Sequence, residues 1–294
     1  MAGDAGERDQ AVSVRVEGDR LRAGEHLAIS FERTLRIPNN GRKYPLPPGL
    51  GLFPIRVIGH DFVIPMHQRE ALWIAFEGAW WKPNAVKVGI GGIDALTGDA
   101  WSEELRGDPQ NYLVAPDQPW LDGINSGHET IRQFVAMPLG SGVTVEGQLT
   151  GEESVGGLQF VVFEPKPGRF PDEEPEPGPP GEGVLESIDM GLAAGGEMTQ
   201  KIYPDPYGLS SWDPSRRTSF KVRIVNGEEW RALTGEPVPP TPIDAAAYTK
   251  AGLPWFALYD EELGDIAASE TLRGVQSVGD AAPIDVQNVH KVKH

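Results

Sequence analysis

IRQFVAMPLGSGVTVEGQLTGEESVGGLQFVVF, residues 131–163, is the stretch whose reading decides the fold. Its pattern predicts three consecutive β-strands. Residues 132–137 form the first, and Pro138, Gly140, Ser141 and Gly142 supply the turn chemistry that ends it. In residues 143–149, Val143, Val145 and Leu149 share one parity and Thr144, Glu146 and Gln148 the other, the alternation of a half-buried strand. Residues 151–157 carry two acids and three glycines and suit a solvated turn. Residues 158–163 are apolar at every position but Gln159, as in a strand covered on both faces. Such a meander needs a second layer over its apolar face, which the rest of the chain has to supply.

Upstream, Val12, Val14 and Val16 alternate with polar residues, and Leu27, Ile29, Phe31, Leu35 and Ile37 fall on one parity, predicting a long strand over residues 26–37. Residues 53–58, 71–76 and 86–90 read as further strands, the second of them central because Leu72-Trp-Ile-Ala-Phe76 has no polar face. Residues 100–130 read as loop-rich. Downstream, residues 197–203 and 220–225 read as strands. Asn226 caps a short helix that Gly235 closes, Thr241 and Pro242 open another ending at Gly252, and helical turns follow near 260–268 and 269–274. The fold expected is mainly β: a two-layer, jelly-roll-like β-sandwich with short C-terminal helices.

Between the two groups of strands, residues 164–187 hold seven prolines and seven acids against two bases. That composition predicts an extended, solvated, polyproline-like excursion. The chain is therefore read as one β-rich domain over 1–294 with this excursion looped out. The alternative is a sandwich over 11–163 joined to a smaller α+β domain over 188–280.

Composition narrows the function classes. The 294 residues carry 43 acids against 26 bases, a net charge of −17 that repels nucleic acid. With no cysteine, thiolate metal sites and cysteine nucleophiles are excluded. Residues 1–10 are polar and acidic, read as a mobile or partner-held arm and not a signal peptide, and no apolar run is long enough for a membrane-spanning helix. The expected location is cytoplasmic, or external without a conventional signal.

No motif carries chemistry. The six histidines show no H-x-x-x-H spacing, so no metal and no cofactor is expected. Asn125-Ser-Gly-His-Glu129 places His128 and Glu129 in one loop, and a hydrolase built on them stays an alternative, although triads converge from separate elements. Gly89-Ile-Gly-Gly-Ile-Asp94 reads as a hairpin with close backbone approach rather than a phosphate loop, since no helix follows.

The tryptophans are the feature to explain. Of eight, Trp73 and Trp230 fall on predicted elements and read as core, whereas Trp80, Trp81, Trp101, Trp120, Trp212 and Trp255 lie in loops near Pro, Asp or Gly. Loop tryptophans pin loops to their own core, anchor interfaces or stack on sugar rings. The leading expectation is a non-enzymatic structural or self-assembly protein, meeting a second copy or a partner protein through loops, strand edges and the N-terminal arm. The first alternative is a glycan-binding module or glycan-acting enzyme, with Trp80, Trp81 and Trp120 stacking on sugars and Asp117 and Asp122 bonding hydroxyls.

Four phrases resemble a group of uncharacterised bacterial proteins. They are Ile131-Arg-Gln-Phe-Val-Ala-Met-Pro-Leu-Gly140, Asp189-Met-Gly-Leu-Ala-Ala-Gly-Gly196, Lys201-Ile-Tyr-Pro-Asp-Pro-Tyr-Gly208 and Gly252-Leu-Pro-Trp-Phe256. The resemblance implies no activity and no site residue. It implies that both sides of the acidic excursion belong to one unit.

Overall fold

A computed structural model describes residues 13–37, 47–127, 130–176, 200–240, 266–267 and 269–276. The strands begin with β1 (Val14–Glu17), β2 (Arg20–Ala23), β3 (Leu27–Thr34), β4 (Gly49–Leu52) and β5 (Arg56–Ile58). Next come β6 (Asp61–Pro65), β7 (Ala71–Glu77), β8 (Asn84–Ile90), β9 (Ile93–Asp94) and β10 (Leu113–Ala115). The series ends with β11 (Trp120–Leu121), β12 (Gly123–Gly127), β13 (Thr130–Val135), β14 (Leu158–Pro165) and β15 (Trp212–Val225). Among the described residues three short α-helices accompany them: α1 (Val145–Thr150), α2 (Gly227–Thr234) and α3 (Glu270–Arg273). No helix among the described residues is long and apolar enough to cross a membrane.

The strands make two sheets that pack as a mainly β two-layer sandwich. One runs β1-β2-β3-β7-β13-β12, with β4 beside β3 and β11 beside β7; the other runs β10-β8-β14-β15-β6-β5, with β9 beside β8. The shared core draws Phe31, Ile74 and Phe76 from the first sheet and Val88, Phe160 and Val222 from the second, all 2% exposed or less. Phe31 meets Phe160 edge-on across the gap, ring centres 6.0 Å apart. As expected, β7 is central, lying between β3 and β13.

The 131–163 stretch corrects the reading that placed three strands there. Its outer segments are strands, but β13 and β14 sit in different sheets, and the middle segment is α1. The reason is local capping plus one tertiary acceptor. Thr144 Oγ1 accepts from Gly147 N, and Gly151 closes the helix in the left-handed region at φ 79°. Buried Glu146 then receives the backbone N–H groups of Ser154, Val155 and Gly156 at 2.9, 2.7 and 2.9 Å. A helix at this point carries the chain from one sheet to the other.

Other boundaries move for comparable reasons. The predicted long strand stops at Thr34, and β2, which pairs with it, was missed. Pro54 splits the predicted 53–58 strand, leaving Arg56–Ile58 to pair with β6. The loop-rich 100–130 region contributes β10, β11 and β12. Of the predicted 197–203 strand, residues 200–203 are described and form none.

Side-chain amides dock that segment instead. Gln200 Oε1 accepts from Asp122 N at 3.0 Å, and Gln118 Oε1 accepts from Tyr203 N at 2.9 Å. The Asn226 cap stands as expected, accepting from Glu228 N and Glu229 N, with Gly235 left-handed at the other end of α2. Ser269 likewise caps α3. β14 and β15 are hydrogen-bonded neighbours, Leu158 opposite Val222, and β14 takes in Glu164 and Pro165, which the sequence reading gives to the solvated excursion. The N-terminal arm, the 241–252 helix and all but residues 266–267 of the 260–268 turn lie outside the described residues.

Candidate functional site

Strand directions gather several of the chosen residues at one end of the sandwich. β8 and β15 begin there and β10 and β14 end there, since Asn84 pairs with Ala115, Ala85 with Phe163 and Trp212 with Pro165. The 78–83 loop leads out of β7 at this end. Trp80 is 63% exposed and meets Trp81 edge-on with ring centres 5.9 Å apart, while Trp81 lies edge-on to His26 at 5.8 Å. Lys82 donates to Asp172 at 2.8 Å, tying the loop to the start of the acidic excursion. Gly78 allows the approach of the neighbouring loop: a Cβ there would stand 3.3 Å from Pro116 Cδ.

That neighbouring loop carries Asp117, which is half-buried. Burial pushes its carboxyl up, and Asp205 adds to the effect, whereas a hydrogen bond with Tyr207 pulls the other way. The Tyr207 phenol is pushed up to about 12 by burial and by the charge of Asp117. Asp205 is saturated: it accepts from Tyr112 Oη at 2.5 Å, Trp212 Nε1 at 2.9 Å and Tyr207 N at 2.7 Å. Phe170 packs edge-on to Tyr207, ring centres 5.0 Å apart. Asp205 therefore holds the Tyr203-Pro-Asp-Pro-Tyr207 segment against the sheet, and Asp117 is the acid left at the surface.

The remaining chosen residues fall elsewhere. Trp212, expected as a loop anchor, opens β15 and is 2% exposed, because residues 203–211 fold over it. Trp120 is half-buried in β11, its carbonyl accepting from both Gln118 and Gln200 side chains. Asp122 is 0% exposed, and among the described residues neither carboxylate oxygen has a hydrogen-bond partner in good geometry, so it presents nothing to a sugar. Burial holds its carboxyl well above the ordinary range, opposed only by Trp120. Trp255, His128 and Glu129 lie outside the described residues.

Among the described residues no group of three metal-ligating side chains converges. The glycine-rich 89–94 stretch is the β8–β9 hairpin, with Gly91 and Gly92 at φ 55° and 78° and the Trp101 indole over Gly89. Sequence reasoning missed Tyr112 and Tyr207 as partners of the loop acids. The only signal was the Pro-Asp-Pro stiffness of residues 204–206, which fixes Asp205 between two tyrosines. Compared with known proteins, the chain matches no family model, no curated protein and no solved structure.

Proposed function

We propose that this chain is a non-enzymatic assembly protein that meets a second copy of itself through the end of the sandwich bearing Trp80. One observation carries the reading: Trp80 is 63% exposed on a loop braced by Trp81, by Gly78 against Pro116 and by the Lys82–Asp172 pair. A large indole held rigidly in water is the kind of side chain that anchors an interface, losing little conformational freedom when covered. Loops support this reading better than the strand edges that the sequence also offers. β1 has four residues and β5 three, and short edge strands are how sheets avoid pairing with one another.

Light scattering at micromolar concentration tests it. The wild-type mass exceeds that of a monomer, and Trp80→Ser weakens association about 30-fold, near 2 kcal/mol. A wild-type protein that stays monomeric throughout overturns the reading.

A further inference from the structure

The outer face of the second sheet carries a groove away from the Trp80 end. It has a volume of about 160 Å³ and is lined by Trp101, Glu103, Gln159, Ser219 and Lys221, together with Phe160 and Phe220. Strand register places these groups. Gln159 stands opposite Gly89 on one side and Lys221 on the other, and Ser219 stands opposite Val161. Trp101 covers Gly89, where a Cβ would lie 2.5 Å from the indole, so the tryptophan makes one wall. Ser219 and Lys221 make the facing wall, on the same parity of β15 and both exposed.

The floor is rigid. Gln159 is 3% exposed, its Oε1 accepting from Gly92 N at 2.9 Å and its Nε2 donating to Gly156 O at 2.8 Å. A preformed floor lowers the ordering cost of binding.

Charge singles out one group. Arg217, Ser219, Lys221 and Arg223 alternate along β15 on a protein of net charge −17. Arg217 is taken by Glu103 at 3.5 Å, and Arg223 by Glu229 at 2.9 Å and Asp61 at 3.8 Å. Lys221, between them, has no ion-pair partner among the described residues, and it lines the groove. The Ser219 hydroxyl makes no hydrogen bond among them either.

We infer that this groove binds a single sugar-acid ring, a hexuronate. Its carboxylate meets Lys221, its C–H face lies along Trp101, and its hydroxyls are met by Ser219 and Glu103. The volume is about half the lower bound of roughly 300 Å³ for drug-sized ligand pockets, which fits one ring. The Glu103 carboxylate accepts only, so it favours a ring rich in hydroxyl donors over an aromatic acid. The site is independent of the Trp80 interface.

The test is titration of the ¹⁵N-labelled full chain with D-glucuronate, D-glucose and acetate, with the Trp101 indole signal assigned through Trp101→Phe. Glucuronate shifts the Trp101 indole N–H and the Ser219 and Lys221 amides saturably, with a Kd on the order of 1 mM. Lys221→Gln, an exposed change, weakens it about fivefold, and added salt weakens it further. Glucose and acetate bind at least roughly tenfold more weakly, each lacking half of the recognition. A short oligouronide is the last arm. Binding tighter than the monomer marks a uronate within a chain as the ligand, and equal binding marks the free acid. The inference is overturned if acetate matches glucuronate, if the shifts fall elsewhere, or if Lys221→Gln binds as the wild type does.

Discussion

The ammonium of Lys87 lies 3.3 Å from the carboxylate of Asp94, and both side chains are almost fully buried under Trp101 and the 99–106 loop. The hydrogen bond of Lys87 goes to Glu104 O at 2.9 Å, while Asp94 Oδ1 accepts from Leu96 N and Thr97 N. Burial pushes the Asp94 carboxyl up and the Lys87 ammonium down, each only partly restored by the other. Removing one partner strands a buried charge. Lys87→Met is expected to cost about 3–5 kcal/mol in urea unfolding, and Lys87→Met with Asp94→Asn to regain much of that.

Asp122 gives a pH signature. Its folded-state carboxyl sits well above the ordinary 3.8, so the folded protein holds the proton more tightly than the unfolded chain. The stability this contributes is fully present below about pH 4 and is lost as pH rises toward the folded value. Asp122→Asn is expected to remove that slope and to stabilise the protein at pH 7 by about 1–3 kcal/mol, with thermal melts across pH 4–8 as the measurement.

Glu146 replaces a missing strand with a single acceptor. Three backbone N–H groups point at its carboxylate, and the site is closed by Gly91, where a Cβ would stand 2.7 Å from Glu146 Oε2. Glu146→Ala is expected to cost about 3 kcal/mol, and amide exchange at residues 154–156 should accelerate with it. Unchanged exchange there would show that the turn holds itself.

The Asp205 knot predicts a spectroscopic change. Asp205→Asn is expected to destabilise by about 2–3 kcal/mol, since the buried Tyr112 hydroxyl and Trp212 indole lose a charged acceptor. Near-ultraviolet dichroism from Trp212 should fall. Asp117→Asn should let the Tyr207 phenol ionise below its present value of about 12, though still above 10, because burial is the larger cause.

Local chemistry was legible in the sequence, and tertiary covering was not. Asn226 and Gly235 announced α2 because a cap and a left-handed terminator act within a few residues. Val145 and Leu149 satisfy period two and the i, i+4 spacing of a helix alike, so a six-residue segment gives no periodicity to decide between them. What decided it was Glu146 reaching residues 154–156. The alternation over residues 220–225 puts Lys221 on the outward parity of its strand, where it is exposed, whereas Ser219 precedes the predicted strand. That Trp101 walls a groove beside them depends on a loop more than a hundred residues earlier. Asp122 and Trp212 looked like loop residues beside Gly and Pro; the segments that bury them, 200–203 and 203–211, are distant in sequence for the first and contiguous but unpatterned for the second.

β15 has a part that its length alone does not convey. It pairs antiparallel with β14 and parallel with β6, and so splices the β5–β6 hairpin onto the β8–β14 ribbon. A nascent polypeptide still on the ribosome, synthesised only as far as residue 165, carries both pieces with raw edges facing an empty lane. At roughly 5–20 residues per second, it waits several seconds for the filler while residues 166–211 are translated.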